Sequence, residues 1–73
     1  MVHQYKNNGY NIVLDVNSGA IHVVDDVSYD VIDLYEDHTP EEIVAELSGT
    51  YSEAEVKEAC EEVASLVKDG ELF

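Results

Sequence analysis

Two turn signals bracket an alternating run near the start of the chain and restrict its first third to a β-meander. Asn8-Gly9 tolerates the positive φ that a two-residue hairpin demands, and Asn17-Ser18-Gly19 marks the next reversal. Between them Tyr10, Ile12, Leu14 and Val16 point one way and Asn11, Val13 and Asp15 the other. Period two of this kind is a strand with one strongly apolar face. Strands are therefore expected over residues 2–6, 10–16 and 20–24. Register depends on the second loop, because a one-residue slip exchanges faces. A loop of even length puts Ile12 and Leu14 on the face of Ile21 and Val23, with His22 and Val24 opposite. We expect the even loop, since it gathers the branched residues on one side and leaves His22 an exposed sheet residue.

From Asp25 the spacing becomes helical. Asp25 and Asp26 stand where carboxylates cap free amides and complement the helix dipole. Val27, Val31, Leu34 and Tyr35 then follow on one stripe, which predicts a helix over 26–36. Thr39-Pro40-Glu41-Glu42 is a second start: Thr39 caps, Pro40 fits the first turn and Glu42 closes a capping box. That helix is expected over 40–48, with Gly49 as a left-handed cap. Ser52-Glu53-Ala54-Glu55 reads as another capping box, opening a helix over 53–68 that Gly70 stops. Leu72 and Phe73 remain as an apolar tail. The expected fold is α+β: a three-stranded antiparallel sheet followed by three helices, with the outline of a winged helix-turn-helix.

The chain of 73 residues makes one domain, 1–73, with a small core. A chain of this size buries roughly 60% of its unfolded surface. Charge is its strongest chemical statement. Seventeen acidic residues face three lysines and no arginine, a net charge of −14. Nucleic-acid binding needs cations to displace phosphate counterions, so the electrostatics reject DNA although the outline suits it, and they reject anionic membranes too. The same surface attracts basic peptides and speeds their encounter. The plain alternative is acidity that serves solubility alone. No apolar run reaches the ~18 residues of a membrane span, the first residues lack the basic-then-apolar pattern of a signal peptide, so none is expected, and the single cysteine suits a reducing, cytoplasmic setting.

No constellation carries catalysis. Cys60 sits in the apolar stripe Val56, Ala59, Cys60, Val63, Leu66, Val67, where a free cysteine is ordinarily a core residue. His3, His22 and His38 match no zinc spacing. Asp25-Asp26 and Glu41-Glu42 are helix starts, and adjacent residues such as Glu61-Glu62 do not share a helix face. Asp15, Asn17 and Gly19 lack the terminal Glu and flanking helices of a calcium loop and read as a turn. An acyl carrier protein would be all-helical and carry Asp-Ser-Leu, where this chain has Asp26-Val27-Ser28-Tyr29. No catalytic residue, metal or cofactor is expected.

The segment from Asn11 to Asp26, continuing through Ser28-Tyr29-Asp30-Val31-Ile32, resembles the N-terminal region of SCIFF-peptide maturases. With His3-Gln4-Tyr5-Lys6 before it and the helical half behind, the likeness covers nearly the whole chain. The strand-turn-strand segment is fairly specific; the helical half would suit many winged-helix domains. Those maturases are radical S-adenosylmethionine enzymes that install thioether crosslinks in a ribosomally made, cysteine-rich peptide. Their N-terminal region is similar to PqqD and is called a RiPP recognition element. It holds the leader of the precursor while a later domain does the chemistry. This chain departs from the full enzyme in having no Cys-x-x-x-Cys-x-x-Cys cluster motif. The resemblance thus implies the recognition domain alone, with the catalytic radical SAM domain as a partner.

The resemblance also implies a binding mode, in which the leader adds as a strand to the edge of the third strand and lies against the third helix. Here that edge is Ala20, Ile21, His22, Val23, Val24 and Asp25. An edge strand offers unpaired N–H and C=O groups to an extended peptide. Val24 with the flank of Val56, Ala59 and Val63 is the expected pocket, although Val56 and Val63 also read as core. Glu55 and Glu62 beside that stripe are the expected contacts for lysines of a basic leader. A different class of function stays open: an acidic docking or dimerisation module that uses the same edge.

Overall fold

In the computed structural model, which describes residues 2–73, both turns form as the sequence demands. Asn8 and Gly9 take φ values of 53° and 82°, the pair of positive angles that matches the twist of a two-residue hairpin. They join β1 (Val2–Asn7) to β2 (Tyr10–Asp15). The second loop is even. The Asp15 amide donates to the Ala20 carbonyl at 3.0 Å and the Gly19 amide to the Asp15 carbonyl at 2.8 Å, and the Asn17 amide donates to Asp15 Oδ1 at 3.0 Å. β3 (Ile21–Val24) follows, and the antiparallel order is β1-β2-β3. Ile12 pairs with Val23 and Leu14 with Ile21, the expected register.

The face that is buried is the opposite of the one richest in branched residues. Val13, Asn11 and Asp15 are buried, whereas Ile21 and Val23 are 67% and 65% exposed. Helices cover one side of the sheet only, and polar anchors select it. Asn11 Nδ2 donates to Asp26 Oδ1 at 2.7 Å, and Gln4 Nε2 donates to the Tyr29 carbonyl at 2.7 Å. These bonds tie the sheet to the first helix through its polar face, with Val13 as the apolar contact between them. His22 and Val24 accordingly lie half-buried on the inner side.

Three helices follow: α1 (Asp26–Tyr35), α2 (Pro40–Leu47) and α3 (Glu53–Lys68). Asp25 caps α1 by accepting the Ser28 amide at 3.0 Å. Thr39 and Glu42 form the full reciprocal box, and the Thr39 amide bonded to Glu42 holds that carboxyl below its usual range. At α3 only half a box forms. Ser52 accepts the Glu55 amide, but the Glu55 carboxylate takes the Ser52 hydroxyl at 3.0 Å instead of the backbone. Gly49 is not the left-handed cap its position suggested. Ser48 caps α2 in a right-handed conformation, and the Thr50 and Tyr51 amides satisfy the Leu47 carbonyl. Gly70 does adopt φ 76°, and the Glu71 amide reaches back to the Leu66 carbonyl, a Schellman ending.

Val13, Val31, Ile32, Ile43, Val56, Ala59, Val63 and Leu72 form the core. Leu72 is fully buried, and the Phe73 ring stacks on Tyr35 at 5.6 Å, so the residues after α3 are structural. Replacing Leu72 with Ala should cost about 2–5 kcal/mol, read from the urea midpoint. A loss below about 1 kcal/mol, the size of a surface change, would show that the tail does not hold the core.

The loop before α3 is latched to α1. Tyr51 OH donates to Asp30 Oδ2 at 2.7 Å. That bond, then burial, then the charges of Asp30, Asp26 and Asp25, push the Tyr51 phenol up to about 12. A raised value favours the protonated phenol in the fold. The stabilisation is thus complete below the ordinary tyrosine value of about 10 and is lost as pH rises through about 12. Titration of the Tyr51 ring by NMR should place its midpoint near the upper figure, and Asp30→Ala should return it toward the lower one. A midpoint that Asp30→Ala leaves unmoved would remove the latch.

Candidate functional site

β3 is an edge strand, and the phase of its hydrogen bonds decides what it offers. The Asp15 amide points at Ala20, so alternation along an antiparallel ladder turns His22 and Val24 toward β2. The Asn7–Tyr10 hairpin closure gives the same phase from the other side, because Tyr10, Ile12 and Leu14 then face β1. Ile21 and Val23 therefore present their N–H and C=O groups outward. Among the described residues no backbone bond from elsewhere in the chain occupies them.

The groove beside this edge is bounded at both ends. Asp25, which follows β3 and caps α1, lines a cleft of about 120 Å³ together with Val27, Ser28, Glu55, Glu58, Ala59 and Glu62. At the start of β3 the Glu71 carbonyl sits 2.9 Å from His22 Nε2 and accepts the Ser18 hydroxyl at 3.4 Å. The first half of α3 thus lies by the end of β3, and the segment after α3 lies by its beginning.

Four of the expected site residues converge in the cleft: Asp25, Glu55, Ala59 and Glu62. Ala59 is 3% exposed and serves as a floor. Val56 and Val63, expected on the same flank, are 0% and 1% exposed and belong to the core. Val24 is half-buried and faces the core, so it is no outward pocket. Ala20 is half-buried at the loop. Ile21 and Val23 offer backbone to the edge while their side chains stand on the outer face.

Glu58 was missing from the expected set. Its signal was available, since Glu55, Glu58 and Glu62 recur at three and four residues and share one helix face. The cleft gathers four carboxylates and no lysine. One oxygen of Asp25 is committed to the α1 cap and one of Glu55 to Ser52. Lys57 is turned away and pairs with Glu53 at 2.9 Å. The β1 edge, by contrast, carries Lys6, whose ammonium lies 5.1 Å from the Tyr29 ring. The β3 side is thus the more acidic of the two sheet edges.

A larger groove, about 580 Å³, lies on the opposite face of α3 between Tyr35, Pro40, Val44, Cys60 and Ala64. It does not border β3. Cys60 is half-buried there, packed against the core and not within it, and burial pushes its thiol above the usual range. No cluster of His, Cys, Asp and Glu suited to a metal occurs among the described residues. Among the described residues no helix is long and apolar enough to cross a membrane.

Compared with known proteins, residues 11–70 match the family model for coenzyme PQQ synthesis protein D (PqqD). No curated protein matches the chain. The match begins at the inner-face residue Asn11 and ends at the α3 stop, so it spans β2, β3 and all three helices.

A raised thiol has little thiolate at neutral pH and is a poor nucleophile. Cys60 should react with a disulfide reagent more slowly in the folded protein than in urea. Equal rates, or a faster folded rate, would reopen chemistry at this residue.

Proposed function

The chain belongs to the PqqD family, and on that premise we propose that it is a single recognition domain for the basic leader of a ribosomally made precursor peptide. The leader adds to β3 as a fourth strand and sets a lysine or arginine over the acidic cleft. The observation that carries this reading is the free edge of Ile21 and Val23 beside Asp25, Glu55, Glu58 and Glu62. Backbone pairing asks little of the leader's sequence and supplies most of the affinity. The carboxylates supply register and encounter rate; exposed pairs of this kind add about 0.2–1 kcal/mol each. Following the likeness of Asn11 to Ile32 to SCIFF-peptide maturases, the domain delivers the peptide to a catalytic radical SAM domain. It contributes no catalytic residue, metal or cofactor itself and works in the cytoplasm.

Titration with a basic leader peptide tests the proposal. Amide shifts should centre on residues 21–25 and 55–62, and affinity should fall yet persist as salt rises from about 0.05 to about 0.5 M. Val23→Pro removes one outward N–H without touching the β2 ladder, a change an edge strand tolerates. One net hydrogen bond is about 0.5–1.5 kcal/mol, so affinity should drop roughly 2- to 12-fold. Unchanged affinity in a folded Val23→Pro variant, or shifts confined to α2, would place the peptide elsewhere and defeat the reading.

A further inference from the structure

The open edge has two unlike sides. On the outer side stand Ile21 and Val23, 67% and 65% exposed. Behind them on β2 are their direct partners Leu14 and Ile12, and exposed Tyr10 lies diagonal to Val23. The polar residues of this face, His3 and Asn7, belong to β1, on the far side of β2. None of the strand residues on this face is acidic: Asp15 alone precedes Asp25, and it is buried on the inner face. On the inner side, where α1 and α3 lie, the cleft gathers Asp25, Glu55, Glu58 and Glu62.

Resting on the strand-addition reading, we infer that Ile21 and Val23 are specificity residues: they require apolar side chains at alternate positions of the leader. The reason is the period of a strand. Residues directly opposite one another in a ladder share a face, whichever way the added strand runs. Leader residues opposite Ile21 and Val23 therefore stand on the outer face, beside those two side chains. Residues opposite His22 and Val24 stand on the inner side, in the row that runs toward the cleft. The inner row takes the lysine or arginine. The outer row meets only aliphatic and aromatic carbon, so a charge there finds no carboxylate, while a branched apolar residue removes Ile21 and Val23 from water. Apolar side chains left open beside an unpaired edge are a liability for a sheet, and the added strand covers both at once. The ligand is thus an amphipathic strand, apolar on one side and cationic on the other. Order, and not composition, is what the edge reads.

Two synthetic peptides of one composition, titrated into the full chain by NMR, test this. Each has about eight residues, half lysine and half valine. One alternates Lys-Val throughout. The other repeats Lys-Lys-Val-Val, an order in which no two valines stand two positions apart, so it never fills the outer row. The alternating peptide should bind roughly 2- to 30-fold more tightly, the worth of one cross-strand apolar pair and one exposed ion pair. Part of that preference should survive at about 0.5 M salt, because apolar contact is not screened. NOEs should join the peptide's valine methyls to Ile21 and Val23. Ile21→Thr with Val23→Thr keeps both positions β-branched and should remove most of the preference. Should that variant lose its circular dichroism, the two peptides on the unaltered chain carry the test alone. Equal affinities, a preference that vanishes in high salt or withstands the double variant, or valine NOEs to Val27 and Ala59 would each overturn the inference. In those cases strand addition still stands, because the Ile21 and Val23 amides shift. If neither peptide moves those amides, strand addition fails and this inference fails with it.

Discussion

Three short helices can cover one face of a three-stranded sheet and neither of its edges. That constraint governs the rest of the molecule. The covered face has to meet α1, and it does so through Asn11 bonded to Asp26, Gln4 bonded to the Tyr29 carbonyl and Val13 buried between them. Once those bonds fix which side is inward, period two sends Ile12, Leu14, Ile21 and Val23 outward. A buried polar group needs its partner, while an exposed valine costs comparatively little. The inner face is therefore chosen by where its polar groups can be satisfied. Asp15 shows how tight the arrangement is: its Oδ1 accepts the Asn17 amide, and its Oδ2 has no partner among the described residues.

The acidic cleft grows from the same residues that end and begin secondary structure. Asp25 follows β3 and caps α1, so the strand edge and the acidic cleft are continuous through one residue. Glu55 holds the Ser52 hydroxyl at the start of α3 and lines that cleft as well. Carboxylates near helix N-termini are favourable on capping and dipole grounds alone. Their presence in a cleft beside an open edge thus adds little cost to the fold, and a basic ligand meets charges that are already oriented.

What the sequence made legible is what local chemistry determines. The Asn8-Gly9 turn, the parity of the second loop and the three helix starts follow from residues a few positions apart, and α3 begins and ends where Ser52 and Gly70 place it. Which face of the sheet is buried was not legible. It turns on Asn11 reaching Asp26 and Gln4 reaching Tyr29, contacts of 15 and 25 residues' separation, and the count of branched residues pointed the other way. Gly49 failed for a related reason: the Leu47 carbonyl found the amides of Thr50 and Tyr51 in a right-handed turn, so no left-handed residue was needed. That β3 is an edge and that Glu55 and Glu62 flank one helix face follows from strand order and helical spacing; that a peptide uses them is what the family resemblance implies. Val56 and Val63 read as core from the apolar stripe of α3, and both are buried; the flank that faces the cleft lies only a small rotation about α3 away.

The chain's charge, seen in three dimensions, is a partition and not a coating. Residues before Asp15 carry Lys6 and no carboxylate, while the helices and their caps carry nearly all the rest. A net charge of −14 on so small a fold opposes compaction, and crowding those groups on the helical side concentrates the repulsion there. Anything that neutralises the helical side relieves the fold as well as binding it, which favours a cationic ligand over a neutral one of equal shape. The sheet's outer face lies outside that field and answers to apolar burial instead. Salt therefore screens the helical side, where the carboxylates crowd, far more than it changes the sheet's outer face.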